Sequence, residues 1–204
     1  MQVNNKEMYH FHNNKVHNDV WVPNNEIVID NGFETYFLNI LKYYSTAVKT
    51  TSGNKRPLNN IINMYLKEKQ DEETLILLLR EASNTIYGIN IFKRELALEE
   101  IRKQKYPELP SRKHSIWLCD QKGIDFWEKE LSNCGEIQLN LFKVLVTGNL
   151  FKSSDEFIPN NYSDYETNLL EAENYWNPNF TNEEQEKKAE FLFQGKVKIL
   201  EKIK

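Results

Sequence analysis

Ala189-Glu190-Phe191-Leu192-Phe193-Gln194-Gly195, followed by Val197-Lys198-Ile199, reads as a strand, a turn at Gln194-Gly195 and a final strand. It has a counterpart upstream. Ile137, Leu139 and Leu141 alternate on one face, and Phe142, Val144 and Val146 carry on one residue out of step, which predicts a long strand with a bulge. Thr147-Gly148-Asn149 then reads as a hairpin turn into Leu150-Phe151. These strands follow a largely helical stretch, so the elements do not alternate as a doubly wound parallel sheet would. The pattern predicts an α+β domain.

Working outward, Glu7 to His12 alternates as a first strand, and Val20 to Ile29 is a second extended stretch broken at Pro23-Asn24-Asn25. Phe33 to Val48 is apolar at helical spacing. Another helix starts near Pro57 and runs to about Lys69. Asp71 caps a third, with Leu75, Leu78, Leu79, Ala82 and Ile86 as its buried stripe, interrupted near Gly88 and resuming from Ile91 to Lys105. Ser115 to Cys119 is β-like, Ile124 to Asn133 is a short helix closed by Gly135, and Ser163-Asp164-Tyr165-Glu166 is a capping box for a helix ending near Trp176. Asn177 to about Lys188 reads as polar and poorly structured.

The chain has 204 residues, is 40% hydrophobic and carries a net charge of −4, which suits one folded domain and disfavours indiscriminate binding to nucleic acid. No apolar run reaches membrane-spanning length, and the first residues lack a signal-peptide core. Cys119 and Cys134 show neither metal spacing nor a disulfide framework. A cytoplasmic setting is expected. Charge is uneven: Lys93 to Lys113 holds seven Lys/Arg against four Glu, and Asp155 to Glu190 holds ten acids against two lysines. The basic stretch reads as a charged helix face or as a patch for phosphates.

Three constellations could carry chemistry. Glu190 sits at the mouth of an apolar strand, where a carboxylate could meet a developing positive charge or could simply face water. His10 and His12 share a face of the first strand. They could bind a metal with further ligands, act as acid and base, contact a ribose, or be satisfied core residues; His17 follows nearby. Glu99 and Arg102 share a helix face ahead of Pro107, Pro110 and Ser111-Arg112. That rigid connection could present a hydroxyl and a guanidinium to a pyrophosphate, or Arg112 could pair with a nearby glutamate. Dinucleotide-binding glycine fingerprints, P-loops and nucleophile elbows are missing from the sequence.

Taken in order, these pieces resemble the ADP-ribosyltransferase superfamily in its diphtheria-toxin-like His-Tyr-Glu branch. The carriers are Tyr9-His10; Lys93-Arg94-Glu95-Leu96 through Glu99-x-x-Arg102, Tyr106-Pro107 and Pro110-Ser111-Arg112 into Ser115-Ile116-Trp117; and Glu171-Ala172-Glu173-Asn174-Tyr175-Trp176, then Glu190-Phe191-Leu192 and Gly195. They are similar to a bacterial toxin or phage-defence family once of unknown function. The resemblance implies one domain over 1–204, with split antiparallel sheets, flanking helices and a helical insertion at about 50–90. It implies NAD as co-substrate, Glu190 as catalytic carboxylate, and His10, Tyr9, Ser111, Arg112, Ser115, Tyr175 and Trp176 as the NAD-binding set. The middle triad residue stays open among Ser111, Ser115 and Tyr106, and Glu183, Glu184 and Glu186 stay open beside Glu190. The acceptor is RNA, DNA or protein, an antitoxin is a possible partner, and neither a metal nor a membrane is called for. The rival expectations are a nuclease toxin using His10 and His12, with or without metal, and a catalytically inactive binding module on the same fold.

Overall fold

The computed structural model describes residues 1–13, 20–33, 47–49, 55–68, 72–132 and 139–204. Its strands are β1 (Gln2–Asn13), β2 (Glu26–Ile29), β3 (Ala47–Lys49), β4 (Lys55–Pro57), β5 (Ile116–Leu118), β6 (Leu139–Ser154) and β7 (Ala189–Lys202). Its helices are α1 (Leu58–Glu68), α2 (Glu72–Lys105), α3 (Ile124–Ser132), α4 (Tyr165–Trp176) and α5 (Glu183–Lys187). Antiparallel strands packed against helices give the α+β class.

β6 and β7 form the spine, paired antiparallel from Phe142↔Lys202 to Ser154↔Ala189. The expected turns at Gly148 and Gly195 are instead the middle of this ladder, where the two glycines face each other. Both have positive φ, 153° and 143°. A Cβ on Gly195 would stand 2.5 Å from Thr147 O and 2.8 Å from Gly148 Cα. Bare backbones can approach this closely where side chains could not. The predicted register shift is present between Lys143 and Val144 against β7. The doubled apolar pattern has a second cause: Leu141 and Phe142 are both buried, in different clusters, because both faces of the strand are covered there.

The glycine pair divides the sheet. Beyond it, β1 runs along the first part of β6 and β2 along Gly195–Lys198 of β7. Before it, β5 pairs with Phe191–Phe193. Backbone hydrogen bonds of 2.9 Å in both directions between Tyr9 and Cys119 then tie β5 back to β1. Pairing thus runs in a circuit, β1 to β6 to β7 to β5 to β1.

One face of this circuit packs Met8, Trp21, Phe142, Phe191 and Phe193 among a larger cluster. The opposite face packs Phe151 and Leu192 against Leu98 and Ile101 of α2 and Ala172, Tyr175 and Trp176 of α4. They are called the Trp21 face and the helix face below.

α2 is unbroken through Gly88. Its expected buried stripe is real only at Leu78; Leu75, Leu79 and Ile86 are exposed at 37%, 61% and 58%. The reason is reach, since the helix buries residues between Glu95 and Ile101 near its C-terminal end, while among the described residues its first half buries only Leu78. Pro57 ends β4 rather than opening α1. The cap of α4 is Asp164, one residue after the expected Ser163, accepting from Thr167 N at 2.8 Å. The segment from Asn177 to Lys188 contains α5, capped by Asn182. The helix expected at Phe33–Val48, the Asp71 cap, His17, Cys134 and Gly135 fall mainly or wholly outside the described residues.

Candidate functional site

Helical spacing builds the first polar cluster. Glu95, Glu99 and Arg102 recur at intervals of four and three, so α2 presents them in one stripe. Glu99 is bound by Arg102 Nη2 at 2.8 Å and by Ser111 Oγ at 2.9 Å. Arg102 Nη1 donates to Leu109 O at 3.0 Å, and Ser115 Oγ to Ser111 O at 2.7 Å. The loop after α2 is stapled to the helix by these bonds, which fixes where Arg112 enters.

Arg112 is 3% exposed. Its Nε donates to Glu95 Oε2 at 2.9 Å, while Nη1 donates to Glu190 Oε1 at 2.8 Å and to Tyr175 Oη at 2.5 Å. Tyr175 Oη in turn donates to Glu190 Oε1. Arg94 Nη2 reaches Glu95 Oε1 at 3.0 Å, so two guanidiniums balance two carboxylates. Burial opposes the charge on Arg112, but Glu95, Tyr175 and Glu190 hold its pKa well above the ordinary value. Burial, with Glu190 adding to it, keeps Tyr175 a phenol far above its ordinary range. Arg112, Tyr175 and Glu190, distant in sequence, meet here.

Their presentation differs from the expectation. Glu190 is 5% exposed and does not stand at an open strand mouth. Arg112 faces inward to carboxylates, the glutamate pairing that the sequence left as an alternative, and not outward to a pyrophosphate. Ser111 and Ser115 are buried in the loop staple. Trp176 is 2% exposed, lies 5.2 Å from the Phe151 ring and donates Nε1 to Leu98 O at 2.7 Å, so it packs the core and does not flank a ligand. Glu95 was missed as a site residue; its i,i+4 relation to Glu99 was the available signal.

His10 lies elsewhere. Side chains alternate along β1, and Met8, His10 and His12 point to the Trp21 face, whereas Glu190, next to Phe191 of that face, points to the helix face. The structure therefore does not bring His10 and Glu190 together. Tyr9 also points away from His10, packing with Cys119 and Leu141. His10 Nδ1 donates to Trp117 O at 2.8 Å and its ring stacks on Trp21 at 4.1 Å. Burial lowers its pKa to about 4 despite that carbonyl, so the ring is neutral at pH 7. His12 stacks on the same indole at 5.0 Å and is 6% exposed, which does not offer the pair as an acid and base. Among the described residues no group of three or more His, Cys, Asp or Glu is arranged to hold a metal.

The Trp21 face has its own charges. Lys152, opposite Phe191 in the ladder, lies 4.3 Å from the Phe180 ring centre and 6.0 Å from that of Phe191. It pairs with Glu186 of α5. Lys6 Nζ lies 5.2 Å from the same Phe191 centre. The segment from Asn177 to Lys188 thus leaves the helix face at α4 and brings Phe180 and Glu186 to the other. The basic stretch 93–113 is largely consumed internally, Lys93 on Ser163 O, Lys105 on Glu173, and Arg94, Arg102 and Arg112 as above. A cavity of about 460 Å³ is lined by four asparagines, two glutamates, Phe157 and Ile158; it includes none of the expected site residues and no cation.

Residues 8–204 match a family described as a protein of unknown function, DUF2441. The chain belongs to this family. The match begins one residue before Tyr9 and takes in the whole of the Arg112 cluster and, on the Trp21 face, Lys152, Phe180, Glu186 and Phe191; Lys6 lies before it. No curated protein matches the sequence. No helix among the described residues is long and apolar enough to cross a membrane.

Proposed function

We propose that the chain is an NAD-dependent ADP-ribosyltransferase that holds its nucleotide on the Trp21 face, with Glu186 in place of Glu190 as the working carboxylate. The observation that carries this is the division of the sheet: the imidazole of His10 and the half-exposed carboxylate of Glu186 reach the same face, from β1 and from the segment before β7, and Glu190 reaches the other. The split sheet and the placement of the Tyr175-Trp176 helix end ahead of β7 also support it. Loss of nicotinamide from NAD leaves an oxocarbenium-like ribose, and a carboxylate stabilises that charge only if it can touch the sugar. Glu186 is 35% exposed at its side chain and Glu190 6%. His10, anchored through Nδ1, presents a neutral ring with Nε2 as its remaining polar atom for a ribose hydroxyl. In this reading Glu190, Arg112, Tyr175 and Glu95 brace the strand that carries the site. The acceptor is nucleic acid or protein, an antitoxin would act by covering this face, and the setting is cytoplasmic.

The test is incubation with labelled NAD and RNA, DNA or protein in separate reactions. Glu186→Gln should lower transfer by about 100- to 1000-fold. Glu190→Gln should lower it only as far as it lowers the folded fraction. The reverse pattern returns the catalytic role to Glu190.

A second reading, a catalytically inactive binding module on the same fold, is favoured by one observation. Trp21 is stacked on His10 and is itself 4% exposed, so it occupies the ground a nucleotide would need. Wild-type chain that binds NAD without cleaving it, alone or with any acceptor, would establish that reading.

A further inference from the structure

Lys6 and Lys152 start on different strands and end over one ring. Lys6 leaves β1 at Val146 of β6, Lys152 leaves β6 opposite Phe191, and both ammonium groups come to rest 5.2 and 6.0 Å from the Phe191 ring centre. Their electrostatic situations differ. Lys152 is held by Glu186. Lys6 is only partly exposed and makes no ion pair among the described residues. An ammonium that is partly withdrawn from water and faces an aromatic ring recovers only part of its lost hydration. Two cations and one carboxylate leave this patch with an excess positive charge on a chain whose net charge is −4. Phe180 and Phe191 wall it with apolar surface, which strengthens any charge pairing made there.

We propose that Lys6 and Lys152 form a subsite for the phosphate ester of a small nucleotide. The pyrophosphate of ADP-ribose carries one negative charge on each phosphorus and the monoester of AMP up to two on one, so either can meet both ammonium groups where a single carboxylate leaves one unmatched. Glu186 is the built-in competitor, since it holds Lys152 when no ligand is bound. The choice of a nucleotide as the ester rests on the reading above; the anion site does not.

Calorimetric titration of the full chain with ADP-ribose, AMP, inorganic phosphate, adenosine and a short single-stranded RNA tests this, and none of these probes requires turnover. ADP-ribose and AMP should bind and adenosine should not. Lys6→Gln and Lys152→Gln should each weaken ADP-ribose about tenfold, the loss of one charge-assisted contact. Glu186→Gln should tighten it, the opposite direction to its effect on transfer in the reading above. Unchanged ADP-ribose affinity in both lysine variants, with native circular dichroism, overturns the subsite. Inorganic phosphate binding as tightly as ADP-ribose supports the anion site and overturns the nucleotide. RNA binding that depends on both lysines, with no ADP-ribose binding, overturns the small ligand in favour of a nucleic-acid backbone.

Discussion

The two faces of the sheet carry similar chemical groups and use them in opposite ways. On the helix face, Arg112, Glu95, Glu190 and Tyr175 are buried, mutually bonded and charge-balanced with Arg94. On the Trp21 face, Lys6, Lys152 and Glu186 are partly exposed, unevenly paired and bordered by rings. A buried charge held by several charge-assisted bonds is part of the architecture, because nothing can approach without first breaking them. A partly hydrated charge with spare bonding capacity can exchange water for a ligand. Burial and bond count separate the two roles here, and residue type alone does not.

The sharpest way to break this contrast is to delete one cation from each side. Arg112→Met leaves Glu95 and Glu190 buried without their shared partner and should cost about 3–5 kcal/mol in chemical denaturation. A cost under 1 kcal/mol would show that water reaches the cluster and that Glu190 is open after all. The next effect is in pH. The unfolded chain takes up a proton on His10 near pH 6.5, and the folded chain only near 4. Between those values the unfolded state binds more protons, so stability falls as pH falls, by about 3 kcal/mol in all. His10→Gln should flatten that part of a stability–pH curve; a curve of unchanged slope would mean that the ring is not locked against Trp117 and Trp21. The smallest effect is on the open side. Lys152→Met removes a half-exposed pair with Glu186 and should change stability by less than about 1 kcal/mol. A loss comparable to that of Arg112→Met would make the Trp21 face structural too.

Short-range signals were the legible part of the fold. β5, α1, α3, α4 and the bulge of β6 follow from alternation, capping and helical spacing within about ten residues. Gly148 and Gly195 were misread because a turn and a kinked ladder want the same residue for the same conformational reason; only the pairing of one with the other, 47 positions apart, distinguishes them. The stripe of α2 was misread because periodicity says which residues share a face, not whether anything packs on it. At the candidate site, the convergence of Ser111-Arg112, Tyr175 and Glu190 was legible as a set. Their burial was not, since it depends on Glu95 and on α4 closing over the strand. The opposition of His10 and Glu190 depends on the parity of two strands joined through a third, which no local pattern encodes.

The circuit of strands also imposes an order on biosynthesis. β1 is made first, and its ladder partner β6 begins 126 residues after β1 ends. At about 5–20 residues per second, the strand waits roughly 6–25 s on the ribosome for that partner. During that interval its edge, which includes Met8, Tyr9 and Phe11, is a template for pairing with other nascent chains. Its polar positions Asn4, Asn5, Lys6 and Glu7 then act as a solubility guard before they belong to any folded surface.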